Sequence, residues 1–133
     1  MDSSGWYAAA DRGDRYNAAA KRLLQTPEPL VTSDHVVIET WRLIHQFISA
    51  HAANRFWGGL RRVAATIEQT NSADLEAAWA IGERFPDQDF SLVDRTSFAV
   101  MERLGISRVI SFDDDFAVYR YGPKLRTAFE LLR

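Results

Sequence analysis

Apolar positions recur at helical spacing in several windows of this chain, and short runs of β-branched residues separate them. In residues 34–50, Val37, Trp41, Ile44 and Ile48 fall on one helical face that Leu43 and Phe47 widen, with Asp34 opening the segment. Residues 15–25 hold the good helix formers Ala18, Ala19, Lys21, Arg22 and Leu23; Asp14 is the expected N-cap, and Pro27 and Pro29 close the segment. A further helix is expected over 55–65, weakened by Gly58 and Gly59, and another over 73–85, capped by Ser72 and stopped by Pro86. Residues 91–104 align Val93, Val100, Met101 and Leu104, with Gly105 suited to a left-handed C-terminal cap and Ile106 to its apolar follow-up. Residues 30–32, 65–69 and 108–112 read as strands, and 124–132 as a last helix.

Strands separated by helices point to an α/β fold, a short parallel sheet flanked by helices on both faces. In such folds ligands bind outside the carboxyl ends of the strands, so acids that directly follow a strand carry more weight than acids in mid-helix. The 133 residues, 47% of them apolar, fit a single domain over 1–133, with no repeat, low-complexity tract or dividing linker. The absence of cysteine rules out disulfides and thiolate metal sites and agrees with the cytoplasmic location expected. The first ten residues lack a basic leader pattern, and no apolar run reaches the length of a membrane span. The net charge of -2 is unlike that of a general nucleic-acid binder, so RNA binding here requires a local basic patch offset by acids elsewhere.

Asp2, Glu39, Asp94 and Asp113 stand out by placement. Asp2 precedes two serines, Glu39 lies early on the long helix just outside its apolar arc, Asp94 lies near the start of the 91–104 helix, and Asp113 follows a strand and continues into Asp114 and Asp115. Converging carboxylates hold hard cations such as Mg²⁺ or Mn²⁺, which lower the pKa of bound water and screen a phosphodiester. Solvated surface acids are the plain alternative for any one of them.

Residues 90–116, reading FSLVDRTSFAVMERLGISRVISFDDDF, resemble the C-terminal signature of the PIN-domain toxins of the VapBC toxin–antitoxin type: an Asp opening a helix, T-S-F-A-x-M, G-I, a strand, then S/T-F-D-x-D/H-F. Asp2-Ser3-Ser4-Gly5-Trp6-Tyr7-Ala8 resembles the family's opening D-T/S-S-A/G-W-Y-A, and residues 32–40, TSDHVVIET, resemble its T-S-x-x-V-x-x-E-T. The three matches occur in family order. The resemblance implies a PIN-like three-layer fold with endoribonuclease activity, in which Asp2, Glu39, Asp94 and Asp113 are the metal-binding acids and Asp115 a further one. It implies that Ser4, Thr96 and Ser111 orient carboxylates or water. It also implies Mg²⁺ or Mn²⁺, a homodimer, a VapB-type antitoxin, and transfer RNA or the sarcin–ricin loop of ribosomal RNA as substrate, with the T-S-F-A-V-M stretch nearer to members that cut that loop. One departure is evident: only Met1 precedes Asp2, where family members carry a few apolar residues forming the central first strand. This implies either a start further upstream or a truncated strand.

Arg55, Trp57, Arg61 and Arg62 are the candidates for RNA contact, as phosphate partners and a base-stacking surface. Trp41 and Trp79 fall on apolar helical faces and are expected in the core or a dimer contact, and the three histidines are expected at the surface or its boundary. Asp74, on a helix without chemistry, is expected to matter little to folding or activity. The reading from a different class is a catalytically weak PIN-like protein-binding module, separated from the nuclease by whether the acids converge. A phosphoryl-transfer receiver or phosphatase is the weakest, since the first Asp lacks a D-x-D pattern.

Overall fold

Helices α1 (Ser3–Ala10) and α2 (Asn17–Leu23) precede β1 (Leu30–Ser33), followed by α3 (Asp34–Phe47), α4 (Ala50–Leu60), β2 (Ala65–Glu68), α5 (Ser72–Arg84), α6 (Leu92–Leu104), β3 (Arg108–Ile110), α7 (Asp115–Val118), a 3₁₀ turn (Pro123–Leu125) and β4 (Glu130–Leu132). The computed structural model describes residues 1–62 and 65–133. β1 pairs in parallel with β2, and β3 with β4. This is the α/β arrangement of short parallel strands and flanking helices that the pattern predicts.

The two strand pairs meet at the start of the chain. The Met1 amino group donates to Val31 O of β1 at 2.6 Å, the Asp2 amide donates to Ile110 O of β3 at 3.0 Å, and Met1 O accepts from the Thr32 hydroxyl at 3.0 Å. Met1 bonds β1 and Asp2 bonds β3, which places these two residues between the strand pairs. Ahead of them, cavities of about 280 and 160 Å³, both lined by Met1, Glu28, Pro29 and Arg108, lie between the strand pairs. Burial holds the Met1 amine down at about 6, against the pull of the Asp2 charge. Adding three or four β-branched apolar residues before Met1 is expected to raise the melting temperature by roughly 5 °C or more. Such residues would pair with both facing edges, fill space and replace a buried amine with a neutral amide. An unchanged melting temperature on extension would contradict this account of the chain start.

Two apolar clusters flank the strands. Trp6 of α1, Val36 and Val37 of α3 and Leu60 of α4 form one, with Ala65 of β2 against it. Phe98 and Met101 of α6 pack with Ile81, Phe90, Val109, Phe116, Tyr119 and Phe129 in the other. The Phe98 and Tyr119 rings stack with centroids 4.1 Å apart.

Several boundaries differ from the sequence reading. The segment expected as one helix over 34–50 breaks at Ser49, whose hydroxyl accepts from Ala52 N and caps α4, so His45 and His51 lie on different helices. The end of the helix expected over 55–65 includes residues 63 and 64, outside the described residues; α4 closes at Leu60. Asp14 accepts from Tyr16 N in a turn, and α2 begins only at Asn17. Asn71, one residue before the expected Ser72, caps α5. The last helix expected over 124–132 is absent: Lys124 and Leu125 take positive φ of 57° and 50°, and Glu130–Leu132 pairs with β3 instead. Local helix propensity there yields to an unpaired strand edge. Gly105 caps α6 at φ 66°, as expected. Trp79 is 69% exposed and so lies outside the core of the chain.

Candidate active site

Each acid of the cleft is placed by a local rule. Asp2 is the N-cap of α1: its carboxylate accepts from Ser4 N at 3.2 Å and the Ser4 hydroxyl at 2.8 Å. Ser111, directly after β3 and fully buried, donates to the same carboxylate at 3.1 Å. Its oxygen accepts from Asp113 N at 3.1 Å, while Ser4 Oγ accepts from Phe112 N at 2.9 Å. Two hydroxyls therefore tie the start of α1 to the loop that carries Asp113. Asp94 is the third residue of α6 in a reciprocal cap: Ser91 N donates to its carboxylate at 2.9 Å and its own amide donates to Ser91 Oγ at 3.1 Å.

Asp94, Asp113 and Asp115 each offer a carboxylate oxygen within 4.8 Å of the others. They line a cleft of about 690 Å³ together with Glu39, which reaches it from α3. Burial first, then the charges of Asp2 and Asp113, pushes the Asp94 carboxyl up to about 7, although its bonds to Ser91 work the other way. Asp115 is raised by burial and by Asp113, and Glu39 by burial with Asp2 and Asp113 adding to it. Like charges gathered in a partly desolvated place hold their protons more tightly, and a divalent cation relieves that crowding. An all-oxygen donor set of three carboxylates suits Mg²⁺ or Mn²⁺.

The other residues singled out from the sequence fall in different places. Asp2, 3% exposed, is not one of the three converging acids and does not line the cleft, but its charge is felt by Glu39, Asp94 and Asp115. The Thr96 hydroxyl donates to Val93 O and faces His35 Nδ1, and among the described residues it bonds to none of the acids. Arg55 and Trp57 lie on α4 and Arg61 and Arg62 just after it; none of them lines the acidic cleft. Ser3, Ser91 and Arg15 also line the cleft, beyond the residues expected from the sequence. Ser91 was legible as the first residue of S-x-x-D ahead of an apolar run, the signature of a reciprocal cap. Arg15 had no sequence signal. Its guanidinium lies 4.5 Å over the Tyr16 ring, which stacks on Phe112 at 4.4 Å.

An acid cluster at the carboxyl end of a strand, completed by the capped starts of two helices, belongs to a recognisable class: residues 1–120 match the PIN domain, and the chain belongs to that family. It is 38% identical over 119 residues to the 23S rRNA-specific endonuclease VapC20 of Mycobacterium tuberculosis, strains CDC 1551 and H37Rv, covering 88% of this chain and 90% of that protein. The crystal structure of Mycobacterium tuberculosis VapC20, described as a sarcin–ricin loop cleaving toxin, superposes with a TM-score of 0.82 at 34% identity, over 87% of this chain and 90% of that one.

Proposed function

We propose that the chain is a divalent-metal-dependent endoribonuclease toxin that cuts structured RNA, with the sarcin–ricin loop of 23S ribosomal RNA as first substrate and transfer RNA as second. The observation that carries this reading is the convergence of Asp94, Asp113 and Asp115 within ligating reach in a cleft that Glu39 also lines. The similarity to VapC20 supplies the RNA. The same convergence weighs against a catalytically weak binding module, which would follow from a dispersed set of acids. A partner antitoxin of the VapB type follows from the same similarity, as does a homodimer from the family resemblance. Among the described residues no helix is long and apolar enough to cross a membrane.

Asp94, Asp113 and Asp115 would hold the ion. Bound there, Mg²⁺ or Mn²⁺ supplies a water of lowered pKa and neutralises charge developing on the phosphate. Asp94 or Asp113 orients the attacking water toward phosphorus, and the bond from phosphorus to the leaving oxygen breaks as the new P–O bond forms. Glu39, whose proton affinity is raised, is suited to accept the proton that water loses. Asp2 keeps the helix start and the acid loop in register through Ser4 and Ser111.

Incubating the purified protein with 23S ribosomal RNA and with transfer RNA, with Mg²⁺ and with EDTA, and mapping fragment 5′ ends tests the reading. The expected result is one dominant cut in the sarcin–ricin loop that EDTA abolishes. Intact RNA in Mg²⁺, or equal cleavage in EDTA, overturns it.

A further inference from the structure

The RNA backbone is a polyanion, yet the cleft it must enter is lined by Asp14, Glu39, Asp89, Asp94, Asp113 and Asp115. A divalent ion offsets part of that charge at one point only. With a net charge of -2 over the whole chain, attraction has to come from a local cluster of cations. The structure contains one. Arg12, Lys21 and Arg55, contributed by the α1–α2 connection, α2 and α4, line a single cavity of about 340 Å³ whose wall, among the described residues, has no Asp or Glu. Its floor is apolar, formed by Trp6, Phe56 and Leu60. In a chain with 18 acidic and 16 basic residues, such separation of sign is unlike an ordinary solvated face, where the two are mixed. None of the three cations takes part in an ion pair among the described residues.

The basic cavity and the acidic cleft share one short connection. Arg12 faces the cavity, and Arg15, three residues on, is the basic residue that lines the cleft. Three residues span at most about 11 Å, so a single strand of RNA can contact both. The connection is held in shape: the Asn17 side-chain amide donates to Ala8 O, Ala9 O and Asp11 O, Gly13 N donates to Asp11, and Tyr16 N donates to Asp14. Arg15 is carried on the Tyr16–Phe112 stack, beside the loop of Asp113.

We propose that Arg12, Lys21 and Arg55 form a phosphate-binding exosite that holds the RNA backbone beside the acidic cleft, with Arg15 linking the two. This rests on the proposed RNA cleavage for its ligand and adds where the substrate is gripped outside the reacting centre. The exosite reads charge rather than base sequence, because its polar groups are all cations and its floor has no exposed ring edge for hydrogen bonding. Continuity with the cleft through Arg15 favours RNA over an acidic segment of a protein partner. Of the four residues singled out from the sequence for RNA contact, Arg55 alone belongs to it.

Binding, rather than cleavage, tests this. A sarcin–ricin stem–loop is titrated in EDTA at several salt concentrations with wild type and with an Arg12→Ala/Lys21→Ala/Arg55→Ala variant. A variant with equal charge loss elsewhere, Arg84→Ala/Lys124→Ala/Arg126→Ala, serves as the reference. The exosite variant is expected to bind about 10- to 100-fold more weakly near 0.1 M salt, with the slope of log affinity against log salt reduced by about two to three. The reference variant should change that slope by less than one. An unrelated structured RNA should lose affinity equally. Because Arg12 is on an exposed connection, Arg12→Gln alone leaves packing intact and should remove about one unit of slope. A wild-type slope in both exosite variants, or equal changes in the exosite and reference variants, overturns the proposal, including when the exosite variant has lost affinity only for a protein partner. Cleavage does not enter the readout: failure to cut RNA in Mg²⁺ would remove the proposed activity, whereas a wild-type salt slope would remove the exosite.

Discussion

Replacing Asp94 with Asn is expected to lower RNA cleavage by at least about 1,000-fold while raising the melting temperature of the metal-free protein. The loss of activity follows from the metal-holding role proposed for Asp94, one of three converging carboxylates. The gain in stability follows from the same geometry without the ion. Asn keeps an acceptor for Ser91 N, so the α6 cap survives, and a buried charge next to Asp2 and Asp113 disappears. The pH dependence has a definite sign. The folded pKa of about 7 lies above the ordinary carboxyl value, so the stability this group contributes is complete below about pH 4 and is lost as pH rises through 7. Wild type in EDTA should therefore weaken across that window, and the gap between variant and wild type should be widest above it. The expected gain at pH 8 is roughly 3–6 °C, or about 1 kcal/mol. A variant in EDTA that melts several degrees below wild type would mean the acids are not crowded, and a variant that still cuts RNA at the wild-type rate would remove Asp94 from the site.

The second large effect reverses the expectation drawn from sequence for Asp74. That residue is 2% exposed and lies at the third position of α5, where it caps Asn71 N and accepts from Arg103 Nε and Nη2, both at 2.9 Å. Arg103 also bonds Glu68 at the end of β2, so the pair ties α5, α6 and β2 together. Asp74→Asn leaves one acceptor and turns an amide toward the guanidinium, at an expected cost of about 2 kcal/mol, or roughly 6–10 °C. Its pH dependence is opposite to that of Asp94. The Arg103 hydrogen bonds depress the Asp74 carboxyl, so its contribution is present above the ordinary carboxyl value and is lost as pH falls through the depressed one. Thermal melts of the two variants between pH 3 and 8 should diverge in opposite directions. A change of less than about 1 °C in Asp74→Asn at neutral pH would show the pair to be as weak as an exposed one.

These two aspartates show what one-dimensional reading can distinguish. Both occupy the third position of a helix behind a polar N-cap, Asn71 for one and Ser91 for the other. Locally they are the same object. One meets an arginine and is paired, while the other meets carboxylates and is crowded, and the partners come from residues distant in sequence.

The order of elements from α2 to β3, the helical starts at Asp34 and near Ser91, the left-handed cap at Gly105 and the placement of Asp113 after a strand were legible in the sequence alone. Each depends on neighbours within about four residues, the range over which helical periodicity and capping act. The family resemblance, carried by contiguous motifs, also pointed to Asp2 and Glu39, of which Glu39 lines the cleft and Asp2 does not. The tertiary structure decided the rest. It set Met1 and Asp2 between two strand pairs, made Glu130–Leu132 a strand against local helix propensity, turned Thr96 toward His35, and brought Asp115 into reach of Asp94. It also separated the cations, placing Arg12, Lys21 and Arg55 around one cavity and Arg15 at the acidic cleft. Strand pairing, convergence of like charges and segregation of opposite ones join residues tens of positions apart, and no periodicity along the chain encodes them.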